Sequence, residues 1–286
     1  MEGSLKTPSQ MKLDPSGDTF TIGHVENQKV RPLLKWAGGK RWLVPLLEPL
    51  WQKHRESRLV EPLSGGLAVT FGLRPKRALL NDVNPHLINF YQQVKLGLKA
   101  KSDMKNNKDY YYRSRRRFNS LIEEGNWKTR EAAELFYYLN HTGYNGLCRF
   151  NSSGLFNVPF GRYKTINYTK DFNAYKKILI NWEFSTGDFS EVKIRKGDFV
   201  YVDPPYDVEF RQYSADGFTW QDQERVARWA ANLQVPIVIT NQATERILNL
   251  YEDLGFKLQI VEVPRFINCV GNKRGPVKEV IGMKDV

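Results

Sequence analysis

The stretch Lys196–Tyr206, KGDFVYVDPPY, constrains the fold more than any other. Phe199 to Val202 is a short aromatic and β-branched run behind a Gly-Asp turn, the pattern of a buried strand. Pro204 and Pro205 then end it, because proline has no N–H for a central ladder. Asp203, Pro204, Pro205 and Tyr206 are therefore expected in a stiff loop at the strand's carboxyl end, where open α/β sheets bind ligands. Asp203 offers an acceptor-only carboxylate, Pro204 a backbone carbonyl and Tyr206 a flat face for stacking. Two acceptors beside an aromatic face suit a planar ring that bears an exocyclic amine. The plainer alternative is an Asp-Pro turn with Tyr206 at its rim.

Upstream, Leu59–Leu63 reads as a strand running into Ser64-Gly65-Gly66 and then a helical pattern over Leu67–Leu73. Strand, glycine turn and helix form the layout of a nucleotide-type cofactor site. The spacing is not G-x-G-x-x-G, which argues against a dinucleotide enzyme. Ala78–Asp82 is a second strand, and its terminal Asp82 lies 21 residues beyond Glu61. An acid at about 20 residues, ending the second strand, commonly binds ribose hydroxyls. The alternative is a cap for the helix that opens at Pro85. Earlier still, Gly38-Gly39-Lys40 is a turn that can cradle an anion at a helix start. Pro45 and Pro49 disfavour one regular helix over Arg41–Trp51.

The net charge is +12 and the sequence pI about 9.5. Residues 84–187 hold 17 Lys/Arg against 8 Asp/Glu, so most of the excess lies in one central segment. A polyanionic partner explains such a concentration, as does a merely solvated face. Within it, Arg113, Arg115, Arg116 and Arg117 follow Tyr110, Tyr111 and Tyr112, an interleaving that suits a phosphate backbone. His141–Tyr163 carries four glycines and a proline. It is expected to form a β-hairpin turning at Asn151–Gly154. Its Arg149, Asn145 and Asn157 are of the types that read guanine and adenine edges.

Helices are expected at Pro85–Gly97, Arg130–Asn140, Trp220–Asn232 and Ala243–Leu254. Strands are expected at Glu183–Gly187, Val235–Thr240, Lys257–Val263 and Glu279–Met283. Residues 1–30 lack a sustained period and read as a disordered tail. Asp207–Phe218 reads as a mobile loop. Alternating strands and helices on both sides of a basic insert define an α/β class with a mainly parallel sheet. Residues 31–83 and 184–286 would form the main domain, and residues 84–183 the inserted one. No apolar run approaches the ~20 residues of a membrane span. With only Cys148 and Cys269, no disulfide framework is implied, and a reducing cytoplasm fits. The four scattered histidines have no zinc spacing, so no metal is expected.

The stretches LLKWAGGK, EPLSGG, NDVNP, GYNGLCRFN, FNVPFGRY and FVYVDPPY together resemble the Dam-type, D12-class DNA adenine-N6 methyltransferases, including those that recognise GATC. The resemblance runs from about Leu33 to the C-terminus. It implies a Rossmann-like S-adenosylmethionine-dependent methyltransferase sheet with an inserted helical and β-hairpin DNA-recognition domain. Trp36, Lys40, Glu61, Gly65, Gly66, Asp82, Asp188, Phe189 and Asp203 would then line the cofactor pocket. Lys35, Arg116, Tyr144, Asn145, Leu147, Arg149, Asn157 and Pro159 would meet double-stranded DNA. The family's EPF is EPL here, and a glycine often found after the glycine pair is Leu67. By the same resemblance the protein would be a monomer in the cytoplasm, at the nucleoid, of bacterial or phage origin. A cytosine-C5 enzyme would want Pro-Cys, and cytosine-N4 enzymes usually show Ser in place of Asp203. A catalytically silent DNA-binding protein of the same fold, or an enzyme with another recognition site, is the competing reading.

Overall fold

A computed structural model describes residues 30–100, 104–207, 218–263 and 277–286. The expected tail over residues 1–29, most of the expected loop after Asp207, and Cys269 lie outside the described residues. Among the described residues, seven strands form one sheet in the order β3-β2-β1-β4-β5-β7-β6. They are β1 (Arg58–Glu61), β2 (Ala78–Asp82), β3 (Trp182–Thr186), β4 (Asp198–Val202), β5 (Ile237–Gln242), β6 (Lys257–Val263) and β7 (Val277–Lys284). The first five in sequence are parallel; β7 runs antiparallel to both β5 and β6. The order steps outward from β1 through β2 to β3, then returns to β4 on the other side of β1. The crevice at the carboxyl ends of β1 and β4 is thus a topological switch point, where such sheets bind ligands.

Among the described residues, eight α-helices pack around it: α1 (Val44–Lys53), α2 (Ala68–Leu73), α3 (Pro85–Lys95), α4 (Lys108–Glu123), α5 (Arg130–Thr142), α6 (Asn173–Leu179), α7 (Trp220–Ala231) and α8 (Glu245–Asp253). Their starts follow from capping chemistry. The Asn84 side chain accepts from the N–H groups of His86 and Leu87, Asn107 caps α4, Thr129 caps α5, and Thr219 with Asp222 closes a capping box on α7. Arg41–Trp51 is not one regular helix: Arg41–Leu43 is a 3-10 turn, and α1 starts at Val44. Pro45 lies in the first turn, where its missing N–H has no partner to lose, and Pro49 is tolerated inside while Leu47 and Trp51 stay buried.

Alternation along the strands builds a core on each face. Leu59, Phe199 and Tyr201 face one side with α1, α2 and α3. Val60, Val200 and Val202 face the other with Val226, Ile247 and Tyr251 of α7 and α8. The first core continues without a gap into the segment between β2 and β3, through Phe118, Phe136, Tyr137 and Phe156. The basic segment is therefore welded to the sheet by shared packing.

The expected hairpin is present in outline only. Gly154 N–H donates to the Asn151 carbonyl at 2.9 Å, closing the turn at the expected residues. Its arms meet at two isolated antiparallel bridges, Phe150 with Phe156 and Gly143 with Phe160, and Tyr144–Gly146 is a 3-10 turn. Helix α4 takes over the bonds a regular ladder would use. Asn119 binds both the N–H and the carbonyl of Phe156, and Tyr111 and Arg115 donate to the Val158 carbonyl.

Candidate active site

Strand β4 is buried along its whole length and delivers Asp203 to the switch-point crevice. Asp203 Oδ1 accepts from Lys40 Nζ at 2.8 Å and from Thr240 Oγ1, at the end of β5, at 2.9 Å. Among the described residues both bonds fall on Oδ1, so Oδ2 is uncommitted. The following carbonyls divide in the same way. Gln223 Nε2 donates to the Pro205 carbonyl at 2.7 Å, and no described group donates to that of Pro204. Asp207 then pins the loop, accepting from Thr244 and from both ends of the Arg246 guanidinium, which lies over the Trp220 ring. Among the described residues a carboxylate oxygen and a carbonyl thus remain as free acceptors on this loop.

Lys40 is only 2% exposed. Besides Asp203, its ammonium donates to the Tyr206 hydroxyl at 2.8 Å and lies 3.5 Å from Glu279 Oε2. The Tyr206 hydroxyl in turn donates to Glu279. Lys40, Asp203 and Tyr206 thus form one bonded cluster. Thr240 and Glu279 do not belong to the sequence-derived set. The available signals were a polar residue closing the apolar run VPIVIT and a lone acid in the apolar strand KEVIGM.

On the other side of the crevice, Trp36 lies flat against the glycine turn. A Cβ at Gly66 would sit 2.6 Å from Trp36 Cβ, and one at Gly65 would sit 2.9 Å from Trp36 Nε1. Gly65 also has a φ of +48°, so glycine is required twice over at that position. Leu67 follows with a φ of 61° and is 1% exposed. The departure from the resembled family thus falls on a left-handed position, which explains why glycine is frequent there. Asp82 holds the same turn: Oδ2 accepts from Gly65 N–H and Oδ1 from Asn84 N–H, each at 2.9 Å. Asn84, not Asp82, caps the helix. Burial raises the Asp82 carboxyl from its ordinary range, and the two backbone N–H bonds oppose the rise.

Glu61 ends β1 beneath this turn, bonded by the Thr70 hydroxyl. Burial first, and the Asp203 carboxylate after it, push its pKa up to about 8. Ser64 Oγ is buried with no hydrogen-bond partner among the described residues. Asp188 is at the rim, one residue beyond Gly187, whose carbonyl binds Asn81. Its carboxylate is engaged by both guanidinium nitrogens of Arg225 at 2.8 Å, which holds its pKa well below the usual range. Phe189 is 2% exposed, edge-on to Trp229 in the second core.

The remaining expected contacts lie on the basic segment. Lys35 is partly buried: its N–H donates to Asn140 Oδ1 at 2.8 Å, its Nζ donates to the His141 carbonyl at 3.0 Å, and its ammonium covers the Tyr163 ring. Tyr144, Asn145, Arg149 and Pro159 are exposed, and Leu147 and Asn157 partly so. Arg149 Nε donates to Asn157 Oδ1 at 2.7 Å, which orients the guanidinium across the hairpin. Arg116 is exposed on α4 and has no partner among the described residues.

Carboxylates at the switch point of a mainly parallel sheet, with a glycine turn after β1 and an acid ending β2, form the layout of a nucleotide-type cofactor site. The family model for D12-class N6 adenine-specific DNA methyltransferase matches residues 36–266, and the chain belongs to that family. A DNA adenine methylase of Haemophilus influenzae is 34% identical over 280 residues, covering 89% of this chain and 94% of that protein. The Retron Ec67 DNA adenine methylase of Escherichia coli is 32% identical, covering 88% and 90%. The type II methyltransferase M1.LlaDCHI of Lactococcus lactis is 32% identical, covering 88% and 94%. The protein is thus an S-adenosylmethionine-dependent enzyme that methylates adenine N6 in DNA. The residues present fit that cofactor: an unpartnered buried Ser64 hydroxyl and the Glu61 and Asp82 carboxyls suit a ligand rich in hydroxyls and cationic groups. Among the described residues no cluster of three His, Cys, Asp or Glu could hold a metal, and no helix is long and apolar enough to cross a membrane.

Proposed function

We propose that the enzyme methylates the adenine of GATC in duplex DNA, with residues 84–183 as its target-recognition domain and Asp203–Tyr206 as its catalytic loop. The pair of uncommitted acceptors, Asp203 Oδ2 and the Pro204 carbonyl, carries the mechanistic part of this reading. The lone pair of adenine N6 is delocalised into its ring and is a poor nucleophile. Two acceptors placed on the two amine hydrogens turn that lone pair out of conjugation. S-adenosylmethionine, when bound, supplies the electrophilic methyl carbon. The proton that the amine gives up in exchange for the methyl group would leave through Asp203 Oδ2 or the Pro204 carbonyl to solvent. Lys40 and Thr240 hold Asp203 for this work, a contribution of orientation.

Reaching the amine requires the base outside the duplex, and the Tyr206 ring is the stacking surface beside the two acceptors. Trp36, Lys40, Glu61, Gly65, Gly66 and Asp82 form the cofactor's walls, and the Gly187–Phe189 turn closes the edge next to Asp82. The exposed hairpin residues, their basic surroundings and relatives named as DNA adenine methylases in several bacteria support the DNA part. That setting also supports action on the DNA of a bacterial or phage host, with or without a partner nuclease.

Asp203→Ala is the direct test. Methyl transfer from labelled cofactor should vanish while duplex affinity stays within about threefold, because the carboxylate acts on the amine and not on phosphates. Near-normal turnover in that variant would sink the mechanism. Wild-type rates on GATC and its single-base variants test the site, and equal rates on all of them would dismiss it.

A further inference from the structure

Glu279 belongs to none of the motifs that define the family resemblance, and it comes from β7, an antiparallel strand outside the parallel core of the sheet. Yet its carboxylate is 5% exposed and aimed into the catalytic cluster. One oxygen accepts from the Tyr206 hydroxyl. The other, Oε2, is buried without a hydrogen-bond partner among the described residues and lies 3.5 Å from Lys40 Nζ. A buried carboxylate is costly to keep unless a neighbour uses it.

The arrangement gives it a use. Lys40 is buried between two carboxylates, and its shortest bonds go to Asp203 and Tyr206, each 2.8 Å. Without the second acid, the whole field of the ammonium would fall on Asp203, whose other oxygen must remain a strong acceptor for the amine. We propose that Glu279 is a positioning residue for methyl transfer, acting through the Tyr206 hydroxyl and the Lys40 ammonium. This rests on the roles given above to Asp203 and Tyr206. Glu279 touches neither the base nor the methyl group; it fixes the ring that stacks on the base and balances the cation that fixes the acceptor.

A role of this kind shows in the chemical step and not in duplex affinity. Single-turnover methylation, with enzyme and cofactor saturating, should fall roughly tenfold to a hundredfold in Glu279→Ala, while the duplex Kd stays within about twofold. Glu279→Gln keeps an acceptor for the Tyr206 hydroxyl and removes the charge, so it should lose several-fold, less than Glu279→Ala. In a cycle with Tyr206→Phe, the double variant should lose clearly less than the product of the two single losses. Glu279→Gln retains the shape of the side chain and serves as the readout if the alanine variant does not fold. A Glu279→Gln rate within error of wild type, a loss confined to duplex or cofactor affinity, or strictly multiplicative losses in the cycle would each overturn the proposal. Wild-type turnover in the same assay separates these results from any failure of the broader reading, and a recognition site other than GATC leaves them unaffected.

Discussion

Glu61 carries its carboxyl to a place that is 2% exposed, where burial and the Asp203 carboxylate raise its pKa to about 8 from an ordinary 4.5. Around neutral pH the ligand-free protein therefore holds Glu61 protonated, while the unfolded chain has released that proton. The raised folded value means that the contribution to stability is fully present below pH 4.5 and is lost as pH rises through about 8. Each unit of rise is worth about 1.4 kcal/mol, so Glu61 contributes a falling slope in that window, against which the depressed pKa values of the buried His86 and His141 work. Glu61→Gln keeps an acceptor for the Thr70 hydroxyl and cannot titrate. Its melting temperature should fall less than that of wild type between about pH 5 and pH 8 in the absence of cofactor, and parallel curves would show that Glu61 does not carry the slope. Asp82 is different, because its two oxygens already hold the Gly65 turn and the start of α3. A charge-assisted bond from a ribose hydroxyl would be worth about 1.5–3 kcal/mol, so Asp82→Ala should weaken cofactor binding roughly tenfold to hundredfold. Calorimetry that finds an unchanged affinity would leave Asp82 as a loop-holding residue only.

At the scale of elements, Leu67 sets two effects against each other. Its left-handed φ of 61° costs about 1–2 kcal/mol in a residue with a Cβ, which glycine would relieve. Its side chain is 1% exposed, however, and emptying such a site costs about 2–5 kcal/mol. Packing wins, so Leu67→Gly should lower stability by about 1–3 kcal/mol in urea unfolding, although it restores the residue common in the family. A stabilised variant would mean that the backbone strain dominates. The strand ends that build the site were legible in the sequence, since β2 spans Ala78–Asp82 as expected and β4 starts one residue before the expected Phe199. Short, strongly patterned runs with a proline or glycine stop leave little freedom. The arms of the hairpin were legible only in part: backbone bonds such as Asn157 N–H to the Arg149 carbonyl and Tyr144 N–H to the Pro159 carbonyl cross between them, but α4 side chains take up the Phe156 and Val158 groups. The place of β7 between β5 and β6 was hidden, and with it Glu279, because pairing across the sheet leaves no local trace in a one-dimensional pattern. Lys40 and Glu279 meet only because β7 inserts beside β5.

For the molecule as a whole, the excess positive charge makes two different statements about DNA, and α4 and the hairpin keep them apart. The arginine run on α4 is not uniform. Arg117 forms an ion pair with Glu131, and Arg115 donates to the Val158 carbonyl, whereas Arg116 is exposed and has no partner among the described residues. We propose Arg116 as a phosphate contact of the run, so Arg116→Ala should weaken binding evenly across sequences and reduce the salt slope by about one. Arg149 makes the other statement. Asn157 takes its Nε–H, which holds the guanidinium and leaves both terminal nitrogens without a partner among the described residues. A fork held in that way can pair with guanine O6 and N7, a contact that discriminates by about 1–3 kcal/mol. Arg149→Ala should then relax the preference at one base pair of GATC more than it lowers overall affinity, with the salt slope nearly unchanged. Asn157→Ala should do the same more weakly, since it frees the fork without removing it. Methylation rates on GATC and on each single-base variant, measured for the wild type and all three substitutions at two salt concentrations, separate the two kinds of contact. A uniform loss in Arg149→Ala across every duplex, with a flatter salt slope, would make Arg149 a phosphate contact like Arg116 and return the reading of the guanine to another residue of the hairpin.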